Sequence, residues 1–298
     1  MLPCGLLRQK IKKMSKLKIA IQKSGRLNEE SLKLLKSCGI KVDNGRDQLK
    51  VAVHNFPLEI LYLRNSDIPK YLEDRVADIA IIGENLLFEQ EKQVDIICKL
   101  GFSKCRVSLA IPKEDQSNGI SFFEGKKIAT SYPNTVNKYL KLKNVKAKIH
   151  KISGSVEIAP NIGLADGICD IVSSGSTLFK NGLKETEVIL RSEAVLASAK
   201  EISIEKRQIL DKLIFRIESV LRAKNSKYIL MNVPNGKIDV VSEILPVLKS
   251  PTVLPLAKKG WSSLHSVIDE DQFWEVIDEL KVAGAEGILV VPIDKMVM

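Results

Sequence analysis

The chain has 298 residues, of which 45% are hydrophobic and 28% charged, a composition typical of a globular protein with two or three domains. The five cysteines form no CxxC pair and the three histidines no HxxxH pair, which argues against a zinc site and fits a reducing cytoplasm. The net charge is +10, but basic residues form no stripe interleaved with aromatics, and no apolar run approaches the ~20 residues of a membrane span, so we expect small anionic substrates rather than nucleic acid or membrane.

The first fifteen residues, MLPCGLLRQKIKKMS, are basic and contain no acidic residue. A secretory signal would place its charges before a longer apolar core, and here that order is reversed. We therefore predict a disordered leader over residues 1–15, with Met14 as an alternative start.

From Leu17 onwards, short β-branched segments alternate with helical patterns. The strand candidates are LKIAI, QLKVAVH, LEILYLR, DIAIIG, CRVSLAIP, KKIATSYP and KAKIHKIS. Helices are predicted between them: NEESLKLLKSCG, capped by Asn28 and ended by Gly39; DIPKYLEDRV, with Pro69 in its first turn; one from Glu84; and NTVNKYLKLKN. This alternation predicts a largely parallel sheet covered by helices, and its repetition predicts two such lobes with a cleft between them.

The last third of the chain has a different pattern. A helix is predicted over residues 205–223, because five aliphatic residues fall on one face. The order after it is strand KYILMNV, helix GKIDVVSEILPVL, strands TVLPLA and WSSLHSVI, helix DQFWEVIDELKVAG and strand EGILVVPI. This βαββαβ order predicts a ferredoxin-like domain, a candidate regulatory or assembly module. Topology alone equally allows a purely structural role.

The segment GICDIVSSGSTLFKNGL, residues 167–183, ends a strand in a polar loop. The loop consists of Ser173, Ser174, Gly175, Ser176 and Thr177. Its hydroxyls, its glycine and the N–H groups at the start of the next helix suit a phosphate. Asp170, near the strand's end, can accept from sugar hydroxyls or approach Mg²⁺. Alternatively, a Ser or Thr of this loop does no more than cap the helix.

A second polar turn follows the first strand, the usual ligand position in an open α/β sheet. It consists of Lys23, Ser24, Gly25 and Arg26. Lysine and arginine beside a Ser-Gly turn suit a phosphate or pyrophosphate, with arginine able to bind in a bidentate manner. A solvated basic turn is the alternative explanation.

Four further residues lie near strand ends with side chains that suit the same kind of ligand: Glu84, Arg106, Tyr132 and Glu157. Glu84 comes directly before Asn85 and can instead favour the N-terminus of its own helix. Tyr132 can stack on a base, although a half-buried core tyrosine is the common alternative. Together with the two polar turns, these four residues favour a cleft for a nucleotide or a sugar phosphate.

With these segments in view, the sequence closely resembles the ATP phosphoribosyltransferase family in its long form, the first enzyme of histidine biosynthesis. The resemblance runs from about Lys16 to the C-terminus. It rests on IAIQKSGRLNEES, DIAIIGENLL, CRVSLA, KKIATSYP, GSVEIAP, GLADGICDIVSSGSTLFKNGL and SKYILMNVP, in that order. Several matching segments in the same order identify a family far more specifically than a single loop does.

The resemblance implies that ATP condenses with phosphoribosyl pyrophosphate, in the presence of Mg²⁺, to give phosphoribosyl-ATP and pyrophosphate. It also implies two lobes similar to periplasmic binding proteins and a C-terminal domain that binds histidine as a feedback inhibitor. Homo-hexamers built from dimers are typical of the long form. By family position the histidine pocket is expected near Met231, Thr252 and Leu254.

Matched to the family's motifs, Asp170 and the loop from Ser173 to Thr177 correspond to the binding loop for the ribose and 5-phosphate of phosphoribosyl pyrophosphate. Ser174 stands where many members have threonine, a change that keeps the hydroxyl. The other matched residues are implied to line the shared cleft: Lys23, Ser24, Gly25, Arg26, Glu84, Arg106, Tyr132 and Glu157.

The resemblance divides the chain into four parts: leader 1–15, catalytic lobe I over 16–104 with 189–224, catalytic lobe II over 105–188 with the phosphoribosyl pyrophosphate loop, and a regulatory domain over 225–298. Adenine N1 must attack C1 of the ribose while pyrophosphate leaves, through a loose, cation-like transition state. The protein then has to align the reactants and neutralise the leaving group. No general base is identified; the candidate catalytic residues are Glu157, Glu84 and Arg26.

Two alternatives compete with the enzyme. A non-enzymatic small-molecule sensor would use the same two lobes with an amino-acid-binding module behind them. Several phosphate-type loops exceed what such a sensor needs, and no helix-turn-helix pattern is evident. A catalytically idle subunit that only regulates a partner is the other alternative, and the retained SSGST and KSGR segments argue against it.

Overall fold

The computed structural model describes residues 15–42, 48–117, 119–245 and 250–297. The predicted leader therefore lies outside the described residues apart from Ser15, and so does the end of the helix predicted over residues 236–248. The chain divides into two compact units. Unit 1 runs to Lys33 and continues over Ile40–Ile209, and unit 2 contains Leu34–Gly39 and Leu210–Met298.

The described residues form fifteen strands. In chain order they are β1 Leu17–Gln22, β2 Lys50–Ala52, β3 Leu58–Leu63, β4 Ile79–Gly83, β5 Val94–Lys99, β6 Cys105–Pro112, β7 Lys127–Thr130, β8 Lys148–Lys151, β9 Gly167–Val172, β10 Leu183–Ser192, β11 Ala194–Ala199, β12 Ser226–Pro234, β13 Thr252–Pro255, β14 Trp261–Asp269 and β15 Glu286–Pro292.

Eight α-helices lie in the same described part of the chain. They are α1 Arg26–Ser37, α2 Ile68–Glu73, α3 Glu84–Gln90, α4 Pro133–Lys143, α5 Ser176–Lys180, α6 Ile204–Lys224, α7 Ile238–Ile244 and α8 Glu270–Val282. Short 3₁₀ turns occur at Asn65–Asp67, Ile120–Phe123, Val156–Ile158 and Asn235–Lys237. None of the helices in these residues combines the length and apolarity that a membrane crossing needs.

Unit 1 contains two mixed sheets, which we call lobe I and lobe II. Lobe I has the strand order β2-β3-β1-β4-β11-β5, and lobe II has the order β10-β6-β9-β7-β8. In lobe I, β1 is parallel to β3 and β4, and β11 runs antiparallel between β4 and β5. In lobe II, β7 is parallel to β8 and β9, and β6 runs antiparallel between β9 and β10.

The two lobes therefore share one plan. Each sheet contains three adjacent parallel strands, then an antiparallel strand that is the first strand after the chain enters the lobe from the other one, and then one more strand. Residues Leu17, Ile19 and Ile21 of β1 and Ile79 and Ile81 of β4 are fully buried, as expected for parallel strands covered on both faces. The predicted pair of α/β lobes is confirmed. The prediction that their sheets are largely parallel is wrong, because each sheet has two parallel strand pairs beside two or three antiparallel ones.

The chain passes between the lobes twice, once after β5 and once after β10. The two passages are hydrogen-bonded to each other: Ala194 N–H donates to the Phe102 carbonyl at 3.0 Å, and Leu100 N–H donates to the Ala194 carbonyl at 2.9 Å. The Gly101 N–H donates to the Glu193 carboxylate at 3.0 Å. These contacts make a two-stranded connection between the lobes.

The sheet of unit 2 has the order β13-β14-β12-β15, with every neighbouring pair antiparallel. Together with α7 and α8 this is the βαββαβ order and the strand arrangement of a ferredoxin-like domain, as predicted. Ile229, Met231 and Val233 of β12 point to the buried face, where they pack with Leu264 and Leu280.

Three strands have no counterpart among the predicted ones: β5, β10 and β11. β10 changes register at Glu185–Glu187 and again at Val188–Leu190, so its alternation of side chains is interrupted. β11, AVLASA, is buried throughout and has no alternation at all. The division predicted between residues 188 and 189 falls inside β10, which pairs with β6 to its last residue, so the chain returns to lobe I only at Glu193.

Candidate functional site

The SSGST loop lies at the carboxyl end of β9, directly before α5. Gly175 is the N-cap residue of α5, at φ +82°, a conformation that favours glycine, and no side chain caps the helix from that position. Ser174 Oγ lies 3.4 Å from Ser176 N, which is long for a hydrogen bond. The alternative that this loop exists to cap its helix is therefore not supported, and its first-turn N–H groups and exposed hydroxyls suit an anion.

An ion pair adjoins the start of this loop. The guanidinium of Arg106 donates to both carboxylate oxygens of Glu185 at 2.5 Å, and its third nitrogen donates to the Ser173 carbonyl at 3.0 Å. Ser108 also donates to Glu185, at 2.7 Å. Hydrogen bonding to Arg106 lowers the pKa of Glu185, and the same contact raises the pKa of Arg106. Arg106, predicted to line the cleft, thus joins Glu185 of β10 to the start of the loop, which it contacts through one nitrogen.

An open pocket of about 510 Å³ adjoins the loop. Its lining combines loop residues with basic and aromatic side chains: Arg106, Lys113, Ser174, Gly175, Ser176, Leu178, Phe179, Lys180, Leu183, Lys184 and Glu185. Four of these residues are cationic and one is anionic, so the pocket favours a negatively charged group.

Asp170 lies in β9 just before the loop, near Glu157 in the 3₁₀ turn Val156–Ile158. Burial raises the pKa of Asp170 to about 6; the N–H of Ile171 opposes that rise and the Glu157 carboxylate adds to it. A raised carboxyl pKa in a partly open site is typical of functional positions. The structure therefore brings together Asp170, Glu157 and the loop, as the sequence predicted.

In lobe I, the KSGR turn joins β1 to α1 with all four residues exposed. Arg26 is the first residue of α1, so the prediction that Asn28 caps this helix is wrong. Asn28 lies inside the helix and its amide donates to the Gln22 carbonyl at 2.6 Å, because the helix begins one turn earlier. The side chain of Arg26 is 70% exposed and its Nε lies 3.6 Å from Glu30, which leaves the guanidinium accessible to a ligand.

Glu84 begins α3, where its N–H donates to the Glu193 carbonyl at 3.0 Å and its carboxylate lies 3.8 Å from Lys99. Asn85 is buried: its amide donates to the Tyr132 hydroxyl at 3.0 Å, and its Oδ1 accepts from Ser192 at 3.0 Å. A Cβ at Gly83 would lie 2.5 Å from this Oδ1, so the glycine allows the amide its orientation.

Tyr132 does not present a ring for stacking. It is 9% exposed and its ring packs in the apolar cluster of lobe II with Val136 and Leu140. Burial, with Asp170 as the next cause, raises the pKa of its hydroxyl. The prediction that Tyr132 stacks on a base is therefore wrong, and the alternative of a core tyrosine, tied by its hydroxyl to Asn85, is correct.

The three residues expected near the histidine pocket lie on different faces of the unit 2 sheet. Thr252 and Leu254 are exposed on edge strand β13, paired with His265 and Ser263 of β14. Met231 is 1% exposed and belongs to the core on the opposite face, because successive side chains of a strand alternate. The side chain of Met231 therefore does not share a face of the sheet with Thr252 and Leu254, and the histidine pocket expected near these strands stays a prediction.

Two buried or half-buried acids were missed by the sequence analysis. Glu185 sits on the bulged strand β10, where no alternation marks it. Glu89, 7% exposed on α3, accepts hydrogen bonds from the first turn of α4. A charged residue on the apolar side of a short helix is the signal that could have found it.

The two-lobed α/β body has polar, anion-compatible loops at strand ends of both lobes, an arrangement typical of proteins that bind small ligands between two α/β lobes. The family model for ATP phosphoribosyltransferase matches residues 64–219, and the model for the HisG C-terminal domain matches residues 223–295. The chain belongs to the ATP phosphoribosyltransferase family, and its C-terminal domain fits the long form. It is a transferase of the pentosyltransferase type that acts at the first step of histidine biosynthesis.

Similar proteins extend over almost the whole chain. An ATP phosphoribosyltransferase from Cytophaga hutchinsonii is 59% identical over 281 residues, 94% of this chain and 98% of the relative. One from Bacteroides fragilis is 53% identical over 282 residues, 95% of this chain and all of the relative. A solved ATP phosphoribosyl transferase (HisG:HisZ) complex from Thermotoga maritima has a chain with 29% identity and a TM-score of 0.60, covering 69% of this chain and 98% of its own.

Proposed function

We propose that this chain condenses ATP with phosphoribosyl pyrophosphate to give phosphoribosyl-ATP and pyrophosphate. The observation that carries the proposal is the SSGST loop: a glycine-capped helix start, held by Arg106, with Asp170 of raised pKa next to it. The basic KSGR turn in the other lobe supports a second anionic site. Both lie after the carboxyl ends of strands, where open α/β sheets bind ligands.

In this proposal the SSGST loop binds the 5-phosphate through hydroxyls and N–H groups. Asp170 accepts hydrogen bonds from ribose hydroxyls, which orients C1 towards the base. With a pKa of about 6 its carboxylate is mostly ionised at neutral pH, so it also stabilises positive charge that develops on the ribose. Alignment of C1 and adenine N1 is the main contribution expected from such binding.

The departing pyrophosphate gains negative charge as the bond to C1 breaks. Lys23 and Arg26 are the exposed cations of lobe I that suit this group, and arginine can hold two of its oxygens at once. Glu84 and Glu157 are retained as candidate catalytic carboxylates by position, Glu84 beside the passage between the lobes and Glu157 beside Asp170.

Mg²⁺ is the metal that we propose for the reaction. In the described parts of the chain no three His, Cys, Asp or Glu side chains are grouped to hold a metal ion. Mg²⁺ typically binds one or two carboxylates and substrate phosphates while keeping several waters, and the neighbouring Asp170 and Glu157 fit that requirement. When bound, the ion neutralises pyrophosphate charge.

We further propose that histidine inhibits the enzyme through the unit 2 domain, that the chain assembles as a homo-hexamer built from dimers, and that it is cytoplasmic. The edge strand β13 and much of β15 are exposed, which supports an assembly role for this sheet. Thr252 and Leu254 remain the proposed inhibitor-facing residues.

The test is pyrophosphate release from ATP, phosphoribosyl pyrophosphate and Mg²⁺, with each component omitted in turn and with or without histidine. We expect release only with all three, and less of it with histidine. No product under any condition would refute the proposed reaction. Product formation that histidine does not reduce would refute only the proposal that histidine inhibits the enzyme.

A further inference from the structure

The lobes of unit 1 are joined by two passages of the chain, and short passages of this kind allow two lobes to rotate against each other. A substrate cleft with groups on both lobes needs their relative position to be defined. A second connection between the lobes exists at some distance along the chain from these passages, where α3 of lobe I meets the first turn of α4 of lobe II.

At this contact the carboxylate of Glu89 accepts three hydrogen bonds. The donors are Asn134 N–H at 3.0 Å, Thr135 N–H at 2.9 Å and the Thr135 hydroxyl at 2.9 Å. The Glu89 carbonyl accepts a fourth bond, from the Asn134 amide at 2.9 Å. Thr135 is 9% exposed and Glu89 7%, so water competes little with these bonds.

The first turn of α4 depends on this carboxylate. Its N-cap residue is Tyr132, whose side chain makes no capping bond, and Pro133 follows without an N–H. Glu89 therefore supplies from the other lobe the negative charge and the acceptors that a helix start usually obtains from its own chain. A cap provided in this way holds α4 to α3 as well as completing the helix.

The same face of α3 also fixes Tyr132. Asn85 lies four residues before Glu89, hence one turn away on one side of the helix, and its amide holds the Tyr132 hydroxyl. Asn85 in turn bonds to Ser192 at the end of β10. One helix therefore links the α4 start, the core tyrosine beside Asp170 and the return passage between the lobes.

We propose that Glu89 is a positioning residue of the reaction: its carboxylate holds α4 against α3 and so sets the spacing between the KSGR turn of lobe I and the SSGST loop of lobe II. This rests on the proposed function in that both loops hold substrate. Glu89 itself touches neither substrate in this account.

The test uses Glu89→Gln and Glu89→Ala in the full chain, with Glu91→Gln as the matched control. Glu91 pairs with Lys138 at 2.5 Å across the same two helices, but both side chains are more than half exposed. Exposed pairs of this kind contribute little, so the control should keep the wild-type KM values and hydrogen exchange.

With the contact weakened, fewer molecules have an aligned cleft at any moment. The apparent affinity for each substrate falls in proportion to the fraction of molecules whose cleft is aligned. KM for ATP and KM for phosphoribosyl pyrophosphate should therefore rise by the same factor, and this factor should exceed the decrease in kcat. We expect both KM values to rise about tenfold in Glu89→Gln, which corresponds to the loss of one charge-assisted hydrogen bond, and about 10²-fold in Glu89→Ala. A role in stability alone would lower the active fraction and leave both KM values unchanged.

Hydrogen–deuterium exchange supplies a readout that is independent of activity. In Glu89→Ala, exchange should become faster in the α4 start, in α3 and in the passages around Phe102 and Glu193 together. Faster exchange in the α4 start alone, or unchanged KM values in folded Glu89→Ala protein, would overturn the proposal. An inactive wild-type protein would refute the proposed reaction and with it the positioning role, whereas the exchange result would still show whether Glu89 joins the lobes.

Discussion

The two anion-compatible turns of unit 1 are built in opposite ways. The KSGR turn of lobe I carries two exposed cations and leads into a helix of twelve residues. The SSGST loop of lobe II has no cation of its own, leads into a helix of five residues, and is hydrogen-bonded to Arg106, which Glu185 holds in turn.

This difference suggests a division of labour between the lobes. A loop that is held in place and offers N–H groups and hydroxyls suits a group that stays still during the reaction, such as the 5-phosphate. Flexible cations suit a group whose charge rises as it leaves, such as pyrophosphate. Each of the following substitutions affects one lobe and should leave the task of the other intact.

Arg26→Ala has the largest expected effect. Without the guanidinium the leaving pyrophosphate loses a bidentate partner, and kcat should fall about 10²- to 10³-fold, as when a transition-state donor is removed elsewhere. The melting temperature should not change, because Arg26 is exposed and paired only with Glu30 at 3.6 Å. Steady-state kinetics with both substrates measures the effect.

Lys36→Ala, an exposed charge in the last turn of the same helix, is the control and should keep the wild-type kcat. An unchanged kcat/KM of Arg26→Ala for both substrates would remove Arg26 from the site.

Asp170→Asn should lower kcat about 10²-fold at pH 7, because a carboxylate that stabilises the ribose cation is lost. It should at the same time stabilise the fold. The rise in the pKa of Asp170 from 3.8 to about 6 means that ionising this carboxyl in the folded protein costs about 3 kcal/mol at pH 7. Urea unfolding of wild type and variant at pH 7 measures the gain.

The size of this gain depends on pH. The wild-type carboxyl is protonated and carries no ionisation cost below pH 3.8, and this stability is lost as the pH rises through about 6. The difference in free energy of unfolding between variant and wild type should therefore shrink as the pH is lowered through that range. The wild-type kcat should fall with protonation over the same range. A variant that is less stable than the wild type at pH 7 would contradict the assignment.

Gly175→Ala has the smallest expected effect of the three, and it distinguishes most clearly between the roles of the two lobes. A Cβ at φ +82° costs about 1–2 kcal/mol of backbone strain, which the loop relieves by shifting its N–H groups. KM for phosphoribosyl pyrophosphate should then rise about tenfold while KM for ATP stays constant.

Gly163→Ala is the matched control, since Gly163 also has a positive φ, +70°, with nothing within 4 Å of an added Cβ. Both variants should lose similar stability, and only Gly175→Ala should change a KM. Equal changes in both KM values would argue against a separate role for the lobe II loop.

Much of the fold was predictable because its local signals agree with its final form. Buried parallel strands such as IAIIG and the βαββαβ order of unit 2 are visible as runs of apolar residues between turn residues. β10 and β11 were not found, because bulges interrupt one pattern and complete burial removes the other.

The residues of the candidate site likewise include some that the sequence could predict and some that it could not. The SSGST and KSGR segments were found from residue types at strand ends, which is local information. The carboxylate of Glu185 beneath the loop and the Glu89 cap depend on contacts between residues 79 and 46 positions apart, which no local pattern reports. Tyr132 was misassigned for the same reason, because its burial depends on the packing of lobe II.

Binding of phosphoribosyl pyrophosphate to wild type and Gly175→Ala, followed by pyrophosphate release with ATP and Mg²⁺, tests the central claim most directly. We predict that the wild type binds this substrate and releases pyrophosphate only when ATP is present, and that Gly175→Ala binds it about tenfold more weakly. Equal binding by both proteins, or release of pyrophosphate that does not require ATP, would contradict the account.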